Sequence, residues 1–376
     1  MNASAATVGA SHARFDLINL LKAGATQLII LHHLAFYGPM ADHVRPLMPG
    51  LIDWLDTFAR IAVQAFLVIG GFLAAKSLSP QGLPGLSNPL TTVWRRYAKL
   101  APPFVVAMLL AVGASAWADT WMNHDSISAL PDVRQLLAHA FLLHGVLGYE
   151  SLSAGAWYVA IDFQLYAVMT LLLWLSGHIA GNRMLPWLMP VVIVLGVSSS
   201  LLHFNLDASW DEWAPYFFGS YGLGIMAWLA GDPSRRRGAV AVLLAMILAP
   251  TLAALALDFR VRIAVALGVA CLLFLFGRRK LPSYSGLGVA TVNGLAQISY
   301  SVFLVHFPVC LVVNAAFTRF VADEPLLQAV GMLVAWGASL LAGAVFCRWV
   351  ETPLGRVLTP AERPGVTRDV AQATSA

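Results

Sequence analysis

Apolar runs of around 20 residues recur along nearly all of this 376-residue chain, and no other feature restricts its fold so severely. A run of that length matches the hydrocarbon thickness of a bilayer at 1.5 Å of helical rise per residue. With 59% hydrophobic and 11% charged residues, the composition excludes a soluble globule and specifies an all-α integral membrane protein. We read ten spans, at 14–37, 54–76, 100–118, 156–176, 185–203, 214–230, 239–257, 261–277, 292–317 and 326–350. Several of the twelve tryptophans, among them Trp54, Trp94, Trp157, Trp187, Trp213 and Trp349, stand near span ends, where amphipathic rings favour the membrane interface. Residues 1–13 contain no Lys or Arg and no small-residue cleavage site follows, so the first run is expected to stay as a span rather than leave as a signal peptide.

Ten spans sort the charges. Lys76, Arg95, Arg96, Lys99, Arg183, Arg235, Arg236, Arg237, Arg278, Arg279, Lys280, Arg348, Arg356, Arg363 and Arg368 fall on one side, and most loop carboxylates fall on the other. The positive-inside rule makes the basic side cytoplasmic, with both termini on it. The segment 133–148 is short for a span and carries His139 and His144, so it reads as an interfacial or re-entrant helix. Counting it as a span would invert everything after it. The net charge of +4 is therefore topological and gives no reason to expect nucleic acid. Cys271, Cys310 and Cys347 lie in apolar runs without metal-ligand or disulfide spacing, and no metal is expected.

Ionisable groups inside spans are costly and mark function by default. Lys22 and His33 are eleven residues apart in the first run, which places them within about 20° on one helix face and about 16 Å apart along its axis. On this reading His33, Arg60, Asp162 and His306 lie towards the outer leaflet. Lys22 is deeper, and Arg95, Arg96 and Lys99 wait at the inner surface. That gradient suits a donor entering from the cytoplasm and an acceptor approaching from outside. Simpler readings stand beside it: Lys22 pairing with Asp16, Arg60 neutralising Asp162, Asp162 bonding Tyr166 four residues on, and the basic cluster acting only as an orientation signal. Ser299 and His306 share a face at seven-residue spacing, while Gly219, Gly222 and Gly224 read as close helix packing.

In order along the chain, these residues resemble the integral-membrane acyltransferase-3 family, and the resemblance covers nearly all of it. A basic residue, ten positions and a histidine appear as Lys22 to His33. A Phe-Phe-x-x-Ser-Gly-Phe-like segment appears as Phe66 to Phe72, with Gly70 for the serine. An Arg-x-x-Arg-like element appears as Arg96 to Lys99 before Pro102. A Trp followed by Glu-x-x-Phe-Tyr is matched by Trp157 and by Asp162 to Tyr166, aspartate replacing glutamate. Ser299, Tyr300 and His306 sit in a segment like Ser-Tyr-x-x-Tyr-Leu-x-His-x-Pro ending at Pro308, and Glu351-Thr352-Pro353 resembles the closing Glu-x-Pro.

The resemblance implies an O-acyltransferase in a single membrane domain at 14–353, between a cytoplasmic segment at 1–13 and a tail at 354–376 too short for a fused esterase-like domain. It implies a multi-pass protein of the inner membrane that moves an acyl group, commonly acetyl, from acetyl-CoA or another acyl-CoA to a carbohydrate acceptor, with the bilayer and a glycan assembly pathway as surroundings. His33 is then the general base, oriented by Asp162. Lys22 either stabilises the thioester oxygen or guides the pantetheine arm, and Arg95, Arg96 and Lys99 hold CoA phosphates. Direct transfer and a covalent acyl-His33 step both stay open, as do the acyl group and the acceptor, which ranges from lipopolysaccharide O-unit, exopolysaccharide, capsule and periplasmic glucan to a lipid-linked sugar. A transporter or flippase using the same buried charges, and a regulatory binder with a degenerate site, are the competing classes.

Overall fold

The computed structural model describes residues 3–86, 88–181, 183, 185–278 and 287–358, the side chains of 3–16, 277 and 278 excepted. The tail expected at 359–376, the basic residues Arg279 and Lys280 and the side chain of Asp16 lie outside the described residues. The described residues form helices joined by turns and irregular loops, with no strand among them: α1 (Ala3–Phe36), α2 (Pro39–Val44), α3 (Pro49–Phe58), α4 (Val63–Leu78), α5 (Pro89–Ala118), α6 (Val133–Ala140) and α7 (Ala156–Ala180) come first. Then follow α8 (Leu188–Leu202), α9 (Ala214–Ala230), α10 (Arg237–Leu257), α11 (Val261–Arg278), α12 (Leu287–Phe320), α13 (Pro325–Phe346) and α14 (Thr352–Leu358). Seven helices among the described residues are long and apolar enough to cross a membrane, counting 49–78 as one. The remaining apolar runs of the sequence reading are helical too, in α1, in α9 with 17 residues and in α11 with 18.

The packing places α12 against α13, α1 and α5, and α9 against α4, α8 and α11. Without a hydrophobic drive between helices in lipid, close approach depends on small residues. A methyl group added at Gly71 of α4 would overlap the Tyr221 carbonyl, and one at Gly224 of α9 would overlap that of Val68. Gly219 and Gly222 face Leu201 and Val197 of α8 in the same way, so all three glycines of this helix serve packing. The α1 helix ends at Phe36, and Gly38 follows at φ 120°, a conformation natural only to glycine, before Pro39 opens the next helix. That stop puts His33 in the last turn of its helix.

Segment 133–148 forms no helix of membrane-crossing length. Its helix, α6, has only eight residues, and its end packs on α5 where the Tyr97 hydroxyl donates to the Ala140 carbonyl at 2.9 Å. One boundary differs in a way that matters for the site. α5 starts at Pro89, capped by the Asn88 side chain accepting from the Thr91 amide at 3.0 Å, eleven residues before the expected span at 100–118. Arg95, Arg96 and Lys99 are therefore helical residues and not a surface loop.

Candidate active site

His33 and His306 meet between α1 and α12. His306 Nδ1 lies 2.9 Å from the Phe303 carbonyl oxygen and 3.1 Å from that of Val302. Both oxygens can only accept, so Nδ1 carries the proton and Nε2 is left with a lone pair. That Nε2 is 2.5 Å from His33 Nδ1, which must then be the donor. The two rings are parallel to within 7° with centroids 4.9 Å apart, which is compatible with an N–H···N bond in the plane of both rings. In the neutral ring Nε2 is then the unprotonated nitrogen. Both imidazoles are buried, and His33 lines a cavity of about 1070 Å³ with His32, Gln64, Trp157 and Phe303. A ring held at Nδ1 by its neighbour, in a residue that lines a cavity, has the placement a general base needs.

Asp162 is not the residue that orients it. The carboxylate is bonded and ion-paired to Arg96, whose guanidinium lies 5.1 Å from the centre of the Tyr166 ring. Three expectations fall with this geometry: Asp162 beside His33, Arg60 beside Asp162, and a simple Asp162–Tyr166 pair. The separation by depth of Arg96 from Asp162 falls too, because α5 begins early and the long arginine side chain reaches the level at which the aspartate sits. This part-buried pair is a charged joint between α5 and α7, and it engages Arg96 with a carboxylate where a phosphate contact was expected. Gly70 faces the same joint, and a Cβ there would stand 3.3 Å from Asp162 Oδ1 and from the Tyr221 ring.

A third polar group surrounds Lys22. This half-buried residue lies within electrostatic reach of Glu351 and Lys99, so α1, α5 and the turn that follows α13 converge there. Glu351 closes a π-helical turn, Cys347–Glu351, and accepts the Ser301 hydroxyl. Such turns break helical register and are frequent at functional sites. Tyr300 donates to the Leu100 carbonyl at 3.0 Å, tying α12 to α5, whereas Ser299 returns its hydroxyl to its own helix at Ala296, 2.8 Å away. Arg95 and Lys99 are exposed on α5. Arg60 lines the large cavity, and Trp157 packs in its wall with its ring 5.6 Å from that of Phe217. His32 lines the same cavity, with its ring nitrogen 3.0 Å from the Leu55 carbonyl.

Sequence reasoning missed several members of this site. Gln64, buried and lining the cavity, accepts the Ser220 hydroxyl at 2.6 Å. Phe303 and Ser301 lie in the segment already singled out around His306, but nothing in the spacing told which would face what. A polar residue such as Gln64 inside an apolar run was the available signal.

The described residues define a multi-pass class of protein, a helical bundle with seven helices long and apolar enough to cross a membrane and a polar cavity lined by His33. The profile of the family described as acyltransferase domain, the acyltransferase-3 family, matches residues 15–349, and the chain belongs to that family. No curated protein and no solved structure matches it.

Proposed function

We propose that this protein is an inner-membrane O-acyltransferase that takes an acyl group, acetyl in the first instance, from cytoplasmic acyl-CoA to a hydroxyl of an exported carbohydrate. The observation that carries the reading is His33, which lines the cavity and whose ring is held at Nδ1 by His306, leaving Nε2 for the acceptor hydroxyl. The nitrogen accepts the proton of the incoming hydroxyl as its oxygen attacks the thioester carbonyl. The tetrahedral adduct then expels CoA thiolate, which receives that proton and leaves as the thiol. Direct transfer needs no further group; a covalent acyl-His33 step would use the same nitrogen as nucleophile.

The ten-span topology with both termini cytoplasmic fits this chemistry. Lys99 and Arg95 are exposed on α5 and offer donors to CoA phosphates at the cytoplasmic end. Lys22 stands eleven residues, about 16 Å, from His33 along α1. That separation is too great for it to stabilise an oxyanion beside His33, and it suits a contact with the pantetheine arm. Outside the membrane, Glu150, Asp211 and Glu212 line the cavity mouth, and carboxylates of this kind accept hydrogen bonds from sugar hydroxyls. A glycan assembly pathway would supply the acceptor.

The test is consumption of acetyl-CoA by the purified protein with a cell-envelope glycan extract as acceptor. His33→Ala should lower turnover by about 10²–10⁴-fold, the range for removing a general base. A folded His33→Ala protein with wild-type turnover would refute the role.

A further inference from the structure

A second cavity, of about 580 Å³, opens on the flank of the bundle between α1, α3, α4 and α11. Its lining is apolar throughout, including Leu20, Gly24 and Leu28 of α1, Trp54 of α3 and Val265 of α11. From Leu20 to Leu28 it follows the helix for about 12 Å. Trp54, Phe58 and Leu20 are each about half exposed along it, so it faces what surrounds the bundle, which on the ten-span reading is lipid.

This groove and the His33 cavity share a wall. Phe58, Ile61 and Val261 line both. Three arginines stand at that junction in sequence: Arg60 between two of the shared residues, and Arg260 and Arg262 on either side of the third. The 59–62 turn packs against α11, and all three arginines line the His33 cavity. Asn205, buried, aligns two of them, accepting from Arg260 at 2.7 Å through its side chain and from Arg262 at 3.0 Å through its carbonyl. Arg260 is also ion-paired with Asp258 at 3.5 Å. Arg262 also donates to the Tyr216 hydroxyl at 2.6 Å and Arg260 to the Leu201 carbonyl at 2.8 Å, while neither Arg60 nor Arg262 has a carboxylate partner among the described residues.

The order is an apolar groove open to lipid, then arginines, then a polar cavity with a base. We propose that the acceptor is a saccharide joined through phosphate to a lipid chain: the chain lies in the groove, the phosphate at Arg60, Arg260 and Arg262, and the saccharide in the His33 cavity. Guanidinium forks match phosphate oxygens bidentately, and a phosphate supplies the anion that Arg60 and Arg262 lack. Holding the chain in the groove fixes the glycan beside the base, so recognition of the lipid raises effective concentration at the reacting hydroxyl. This rests on the acyl-transfer reading above, but its binding step can be measured without any donor.

The probe is farnesyl pyrophosphate, with inorganic pyrophosphate and phosphatidylglycerol as comparison ligands, and binding to the full-length protein is followed by native mass spectrometry. Wild type and His33→Ala should bind the prenyl pyrophosphate alike, at least tenfold more tightly than either comparison ligand. Gly24→Trp fills the groove at a position where an added Cβ meets nothing within 4 Å, and Arg60→Gln changes an exposed side chain. Each should weaken prenyl pyrophosphate binding at least tenfold. Equal binding of inorganic pyrophosphate would make this a free-phosphate site and overturn the proposal, as would equal binding of phosphatidylglycerol, which would make it a general lipid surface. Unchanged binding in both variants would overturn it too. Acetyl-CoA consumption by the same wild-type preparation separates this result from the acyl-transfer reading: prenyl pyrophosphate binding without turnover counts against acyl transfer alone.

Discussion

His306 should matter to catalysis through His33 alone. Replacing it with leucine leaves the His33 Nδ1–H without its acceptor 2.5 Å away, in a buried site. A buried donor stripped of its partner costs about 1–3 kcal/mol. The ring can escape that cost by rotating or by moving its proton to Nε2, and either change removes the base from the cavity. Converted at about 1.4 kcal/mol per tenfold, the loss in turnover should be between about 5-fold and about 150-fold. Removing His33 itself should cost more, about 10²–10⁴-fold. The assay is acyl transfer by purified His306→Leu, His33→Ala and the double variant under single-turnover conditions. If His306 acts only by holding His33, the double variant will match His33→Ala. A further multiplicative loss in the double variant would mean that His306 touches substrate itself, and wild-type activity in His306→Leu would refute the tautomer argument.

Other outcomes follow from the same geometry. Arg96→Met or Asp162→Leu alone should lower stability by up to about 3–5 kcal/mol, because each leaves a lone charge between α5 and α7, while the double replacement should recover much of the loss; thermal melting in detergent reads this, and neutral single variants would refute the joint. Gly71→Ala and Gly224→Ala drive a methyl group into a facing backbone carbonyl and should each destabilise by about 3 kcal/mol or more, whereas Gly113→Ala, with open space around it, should be tolerated by the same measurement. Glu212, in the loop before α9, has its carboxyl pushed above the usual 4.5 by burial first and by neighbouring Asp211 second. A raised acid binds more protons folded than unfolded, so its destabilising effect is absent below pH 4.5 and grows as pH rises through the folded value. Glu212→Gln should therefore melt higher than wild type at neutral pH and alike at pH 4; a difference that grows towards acid would contradict the sign.

The membrane-length runs were legible because hydropathy is a one-dimensional property, and each run became helix. Lys22 and His33 share a face by period alone, and the small residues of α9 carried their packing role in their type. Pairing was not legible. His33 and His306 are separated by 273 positions, and the tautomer that frees His33 Nε2 depends on two carbonyls of α12. The Arg96–Asp162 pair was hidden by a misplaced boundary, although Asn88 before Pro89 is a helix-start signal that would have put the arginine inside α5. The three arginines at the groove could not be grouped from sequence, since Arg60 and Arg262 belong to helices that only the packing of the 59–62 turn on α11 brings together.

The most direct test of the central claim is the mass of surface glycans from cells with the gene, without it, and restored with wild type or with His33→Ala. The account predicts an acyl mass increment that disappears with the gene, returns with wild type and stays absent with a membrane-inserted His33→Ala protein. Identical glycan masses in all four would contradict acyl transfer to an exported carbohydrate, and an increment restored by His33→Ala would contradict the assignment of the base.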